Sequence, residues 1–482
     1  MRFIRATFPK VLGYTPEFSP TESIFALPVI ERLNEWDDEG ILIPVLAESW
    51  EGDPENLTIT WHLRKGVTFH DGTDWNAEAL RWNYQLGLDT GRLTDGQYVD
   101  SLEVIDDYTL TMHLTSFNWH MYENYGWAMM VSPTAFRNSG ATDEERIEWA
   151  RMNSVGTGPF TVTDFQRDTF IRYERNDNYW REGMPYLDAI EVRLIPDVMT
   201  AAAMIEAGEA DCWTDVSDVQ MVLDLEEKGF NVNWALGFFN ALLPNSADPD
   251  SPLSDQRVRA AIEYAIDRES LAEMIGYGHY EALHQMASID WPGYVEGYNP
   301  RPYNPDMARE LLADAGYPNG FKTSIMITDR GAARDTAAAL KAYLAEVGID
   351  ADIDIADLGR YFGAVFATGW DDLVFAASGI NPDATDLFVH FGPSPMTYRT
   401  GNIAKSQEFL DKCEAALDPS FEDAFEAMDK IKEAIRQGGE DAMIIPVYRS
   451  AQAQVMQPYV HSDYCSMHTV IWTSYDDWME QP

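Results

Sequence analysis

At 482 residues with 45% hydrophobic content, the chain is long enough for about three domains with well-formed cores, which excludes a disordered polypeptide. Its 80 acidic against 34 basic residues give a net charge of −46, a field that repels phosphate backbones and so excludes nucleic acid as a partner. No run of 18 apolar residues is present, so no membrane-spanning segment is expected, and three widely separated cysteines, Cys212, Cys413 and Cys465, imply neither a disulfide framework nor a cysteine metal site. A dense carboxylate surface is best tolerated where counter-ions screen it, and a salt-rich habitat or an acidic extracellular setting would each account for it.

The first residues carry no long apolar run and no small-residue cleavage site, so no export signal is read there. Over 58–69 the alternation Ile59, Trp61, Leu63, Val67, Phe69 predicts half-buried strands around a turn at Arg64-Lys65-Gly66. Asn76 can cap a helix running to about Leu88, and 102–114 reads as a hairpin turning at Asp106-Asp107. After Gly156-Thr-Gly-Pro-Phe160 the pattern changes. Alternation over 189–195, a helix over 199–207 stopped by Gly208, and a strand over 210–216 make a βαβ unit. Asp255 starts an amphipathic helix with Val258, Ile262, Ala265 and Ile266 on one face, and Asn304 caps another with Pro305 in its first turn and Gly316 past its end. A second βαβ unit follows: strand 323–328, helix 332–347 stopped by Gly348, and strand 349–355, a natural parallel pair.

Several blocks carry a family resemblance in a fixed order. Pro44-Val-Leu-Ala-Glu-Ser-Trp50 is followed by Leu57-Thr-Ile-Thr-Trp-His-Leu-Arg-Lys-Gly-Val-Thr-Phe-His-Asp-Gly-Thr73, then Gly156 to Phe160, Tyr179-Trp180, Pro252 to Ile262 with Ala265-Ile-Asp-Arg268, 304–316, and Ile444-Ile-Pro446. The ordered set resembles the extracytoplasmic solute-binding proteins of the peptide and nickel ABC importers, family 5, over nearly the whole chain. The resemblance implies a periplasmic-binding-protein-like type II α/β fold, with two α/β lobes joined by a hinge and a smaller inserted α+β lobe. By that analogy lobe I comprises 1–40, 175–252 and 450–482, the inserted lobe 41–174, and lobe III 253–449. It also implies capture of a small solute by hinge closure, delivery to ABC permease subunits, an extracytoplasmic monomer in the periplasm or at the cell surface, and an export signal or lipid anchor carried by a longer precursor.

Catalytic signatures are missing from the sequence. Gly156-Thr-Gly-Pro-Phe lacks a third glycine and leads into a strand, so no phosphate-cradling helix end follows it. There is no Walker loop, GxSxG elbow or HExxH pair, and His62 and His70, in or beside a strand, read as structural. His279 with His284, and His461 and His468 near Cys465, lack tight ligand spacing, so neither a metal nor any cofactor is expected. With 80 acidic residues every carboxylate spacing occurs by chance, so an extracellular hydrolase with an acidic dyad remains only the rival from another class.

Open α/β sheets bind ligands beyond the carboxyl ends of their strands, which directs attention to Asp329-Arg330 after the strand at 323–328. Arg330 could hold a carboxylate in a two-pronged pair or form a salt bridge with Asp329 or Asp335. In the resembled peptide carriers an arginine of this loop takes the ligand's terminal carboxylate, and Arg330 matches it. Those carriers also pair an aspartate with the ligand's ammonium, whereas the corresponding positions here are Ser378 and Gly379. A free amino terminus would therefore need Asp383 or Asp329. Trp213, Phe239 and Asn240 in Gly237-Phe-Phe-Asn240, and Tyr398 are the remaining candidates for a ligand wall, with aromatic packing inside a lobe as their alternative. A peptide or peptide-like cargo leads; an oligosaccharide or other organic solute is the alternative.

Overall fold

The computed structural model describes residues 1–37, 41–289, 291–329, 331–378, 386–393, 401–462, 472 and 474–480. The chain divides into two compact units: Met1–Val216, Met221–Ala235 and Ala453–Pro482 form unit 1, and Ser217–Gln220 and Leu236–Gln452 form unit 2.

Unit 1 contains a four-stranded antiparallel sheet whose order is Ala47–Asp53, Thr58–Leu63, Thr109–Leu114, Val99–Asp106. Strict alternation puts Ile59, Trp61 and Leu63, and opposite them Leu110, Met112 and Leu114, on one buried face. Helix Ala77–Thr90 packs on that face through Ala77, Leu80 and Tyr84. Its start is fixed by the Asn76 side chain, which accepts from the Ala79 amide, and its end by Gly91 at φ +65°. The polar ends of the buried aromatics find partners: Trp75 donates to the Leu46 carbonyl at 3.1 Å and Tyr84 to the Tyr125 carbonyl at 3.0 Å.

The second sheet of unit 1 has the order Ala453–Met456 (the end of strand Ile445–Met456), Cys212–Val216, Arg2–Arg5, Ala189–Leu194, Phe170–Arg175, Phe160–Gln166. The βαβ unit read at 189–216 is present, with helix Val198–Glu206 as its crossover. One strand unforeseen in the sequence lies inside it: Arg2–Arg5 pairs parallel with both neighbours, Phe3 opposite Val192 and Ile4 opposite Trp213. Only Phe3 and Ile4 carry its apolar signal; ion pairs from Arg2 to Asp211 and from Arg5 to Asp215 hold its ends.

The glycines of Gly156-Thr-Gly-Pro-Phe160 serve this unit by close approach. A Cβ on Gly156 would lie 2.1 Å from the Val29 carbonyl oxygen, and one on Gly158 would press on Pro28 and Val29 at 2.8 Å. His70 donates from Nε2 to the Gly158 carbonyl at 2.9 Å, and Thr157 donates to Glu31 at 2.7 Å. The motif is a backbone clasp.

Unit 2 is built on three parallel strands, Asp350–Ala356, Lys322–Thr328 and Leu373–Ser378, in that order. The pair read at 323–355 runs in register from Lys322 opposite Asp350 to Thr328 opposite Ala356. Helix Ala333–Glu346 covers it with Thr336, Ala337, Leu340 and Leu344, the i, i+4 spacing of one buried face. Antiparallel to Leu373–Ser378 runs the second half of strand Asn231–Pro244, and Glu281–Ala282 pairs with Tyr448–Arg449. The predicted helices are found at Gln256–Ala265, capped by Asp255, and at Pro305–Asp314, capped by Asn304 with Gly316 at φ +95° behind it.

Beneath these helices lies a buried charge network. Glu263 accepts from Arg301 at 3.2 Å and Arg268 at 3.5 Å, while Arg259, Arg268 and Arg301 donate to the carbonyls of Ala442, Leu253, Pro446, Gly439 and Glu440, among others. The network ties the helix at 256–265 to the start of strand Ile445–Met456. Burial holds the Glu263 carboxyl above the usual carboxylate range, with the three arginines pulling it back down.

Candidate functional site

The carboxyl ends of the three parallel strands, Thr328, Ala356 and Ser378, share one end of the unit 2 sheet, and the first two lead directly into Asp329 and Asp357. Asp329 follows the first. Its exposed carboxylate pairs with Arg334 in the first turn of helix Ala333–Glu346, and the Arg334 guanidinium holds it below the ordinary aspartate range. Arg330 lies outside the described residues.

Asp357 follows the second strand and caps helix Leu358–Gly363 by accepting from the Arg360 amide at 3.0 Å; Arg360 in turn pairs with Asp354 through both terminal nitrogens. The helix continues into a wider turn, Ala364–Thr368, and the Phe362 and Phe366 rings lie 5.7 Å apart, each 47% exposed. Two half-exposed phenylalanines at a strand's carboxyl edge form an aromatic surface that the sequence pattern did not single out. Their helical spacing reads as ordinary amphipathic patterning, and only their exposure distinguishes them.

Ser378 closes the third strand, its backbone opposite Phe239, with Asn240 opposite Ala377. Phe239 and Asn240 are both buried; Asn240 donates to the Phe238 carbonyl at 2.8 Å and to Ser450 Oγ at 3.0 Å, which fixes its amide within unit 2. Asp383 and Tyr398 lie outside the described residues. Trp213 belongs to unit 1. It is the second residue of strand Cys212–Val216, buried among Ile4, Ala201, Val216, Leu225 and Val455, so its contacts are those of a core residue. The structure thus puts Ser378, Phe239 and Asn240 on one sheet, with Asp329 just past the end of one of its strands, and Trp213 in the core of the other unit.

Arg449 is a further buried group that the pattern missed. Its guanidinium donates to Ser288 Oγ at 2.8 Å and to the Leu236 carbonyl at 2.9 Å, and lies 4.6 Å from the Trp291 ring centre. An arginine inside an apolar strand gives no periodicity signal that distinguishes it from a surface position.

Among the described residues no group of three or more His, Cys, Asp or Glu side chains is gathered as a metal would require. His284 pairs with Glu269 at 2.8 Å, and His461 lies flat on Trp478 at 3.7 Å and faces Glu480. Cys465 and His468 lie outside the described residues. Cys212 and Cys413 are both buried. Also among the described residues, no helix is long and apolar enough to cross a membrane.

Two units of mixed helix and strand, with strands Asn231–Pro244 and Ile445–Met456 running from one into the other, define the fold class: a type II periplasmic binding protein of the α/β class. Residues 42–397 match the family described as bacterial extracellular solute-binding proteins, family 5 middle, and the chain belongs to that family. It is 30% identical to heme-binding protein A of Haemophilus influenzae over 67% of this chain and 64% of that protein, just under two thirds of its length. It is 29% identical to the glutathione-binding protein GsiB of Shigella boydii over 80% of this chain and 77% of that one. Its structure is similar to that of the DppA periplasmic binding protein from Helicobacter pylori solved with the peptide STSA, with a TM-score of 0.86 at 23% identity, covering 100% of this chain and 98% of that one.

Proposed function

We propose that this chain is the substrate-binding component of an ABC importer, a monomer working outside the cytoplasm, at the cell surface or in the periplasm. It captures a small solute, foremost a peptide or peptide-like compound, and hands it to the permease without a catalytic step. The observation that carries this reading is the family match over 42–397. The glutathione-binding relative adds to it, since glutathione is itself a tripeptide carrying two carboxylates. In this reading binding shifts the population between conformations, and the crossings at 216/217, 220/221, 235/236 and 452/453 are where the backbone absorbs the change.

A carboxylate-bearing ligand suits Arg330, which follows the first parallel strand in sequence, and its ammonium would need Asp329 or Asp383, because Ser378 and Gly379 supply no charge. A second reading, an oligosaccharide or other organic solute, draws on Phe362 and Phe366. Their exposed ring faces accept a sugar as readily as a peptide side chain. Mass spectrometry of small molecules released by denaturing the purified protein decides between the two. A peptide, glutathione or a conjugate of it supports the first reading; a sugar found instead overturns it.

A further inference from the structure

Unit 1 contains a small cavity lined by Arg32, Glu35, Arg181, Tyr179, Trp472 and Tyr475, with about 30 Å³ of room for the centres of water-sized groups, enough for one small occupant. Arg32 is 6% exposed, and its guanidinium rests on the Trp127 ring at 4.2 Å, with Trp36 packed against the same ring at 4.1 Å. Nε of both Arg32 and Arg181 is buried and meets no acceptor among the described residues. Burial lowers the Arg32 pKa to about 10, so it is charged at neutral pH.

The carboxylates of the cavity are committed elsewhere. Glu31 accepts from Thr157 at 2.7 Å, Tyr179 at 2.8 Å and Trp180 at 2.9 Å. Glu35 accepts from Arg181 at 3.5 Å and Tyr475 at 3.4 Å, and acts on Arg32 only through space. A guanidinium carries five donors and no acceptor, and a buried charge with no hydrogen-bond partner is costly enough that proteins rarely keep one unused. The aromatic support fixes the head group, so little ordering is left to be done when an acceptor arrives.

We propose that this cavity is a subsite for one small monoanion, held by the guanidinium of Arg32 with Arg181 lining the same space. The anion is either a free halide or formate-sized ion, or the carboxylate of a carried solute. The shared chemistry is a compact negative acceptor; the free-ion source stands apart from the carrier reading, and the cargo-carboxylate source rests on it.

Bromide has the size and charge required and an anomalous signal of its own. In crystals of the full chain soaked in bromide, the expected result is an anomalous peak in contact with the Arg32 guanidinium. In solution, the fluorescence of Trp127 and Trp36 should change saturably with chloride, bromide or formate. Arg32→Met should weaken the apparent affinity about tenfold or more, and Arg32→Lys, which keeps the charge on the ring, should weaken it less. Displacement of bromide by glutathione would assign the subsite to a cargo carboxylate; retention of bromide would assign it to a free ion. Water density alone at saturating bromide, with identical anion responses in the parent and Arg32→Met, would overturn the proposal.

Discussion

Both units bury arginine together with glutamate, and they do so to different ends. In unit 2, Arg259, Arg268 and Arg301 direct their donors to backbone carbonyls and to the two oxygens of Glu263, so the network is closed on itself. In unit 1, Glu31 is saturated by hydroxyl and indole donors, while Arg32 keeps an aromatic floor and a buried Nε with no acceptor among the described residues. Buried charge that holds a fold together is matched donor for acceptor. Buried charge left unmatched is available for something that arrives.

The contrast is broken most forcefully at Glu263. Replacing it by leucine leaves Arg268 and Arg301 buried without their counter-charge and should cost about 3–5 kcal/mol of unfolding free energy, read by urea denaturation. A loss below about 1 kcal/mol would mean the unit 2 network is no more committed than the unit 1 cavity. Arg32→Met should lower stability by about 1 kcal/mol or less, because it removes a buried charge whose Nε has no acceptor among the described residues while leaving an apolar stem on Trp127. A loss as large as that at Glu263 would show Arg32 to be structural.

His70 sharpens the same distinction through pH. Burial holds its imidazole pKa below the ordinary value of about 6.5, so the native state stays neutral while the unfolded chain takes up a proton as the pH falls. Stability contributed by the neutral ring is therefore present above pH ~6.5 and lost below it. His70→Gln should show a shallower fall in melting temperature between about pH 7 and pH 5.5 than the parent; an unchanged slope would contradict the assignment. The smallest effect is expected at Asp329. Its pairing with Arg334 is solvent-exposed, so Asp329→Ala should leave the melting temperature unchanged, and any effect should appear only in ligand affinity.

Much of the fold was legible because local signals agreed with tertiary placement. Alternation at Ile59, Trp61 and Leu63, the caps at Asn76, Asp255 and Asn304, and the stops at Gly208, Gly316 and Gly348 all describe what one segment does by itself. The strand Arg2–Arg5 was hidden because it is short and becomes a strand only by entering between two others. The site was less legible for the same reason. Trp213 was open to two readings, a ligand wall or packing inside a lobe, and it lies in a core, while the Arg32 cavity joins side chains from distant segments whose meeting has no periodicity. Arg330, Asp383 and Tyr398 lie outside the described residues.

A carrier of a peptide-like solute is stabilised by its cargo. A thermal-unfolding titration of the purified chain against short peptides, glutathione, oligosaccharides and amines tests it most directly. One class, peptides or glutathione, is predicted to raise stability saturably, by about 2.7 kcal/mol at 100 times the dissociation constant. A saturable rise with sugars alone, or with none of the four, would contradict it.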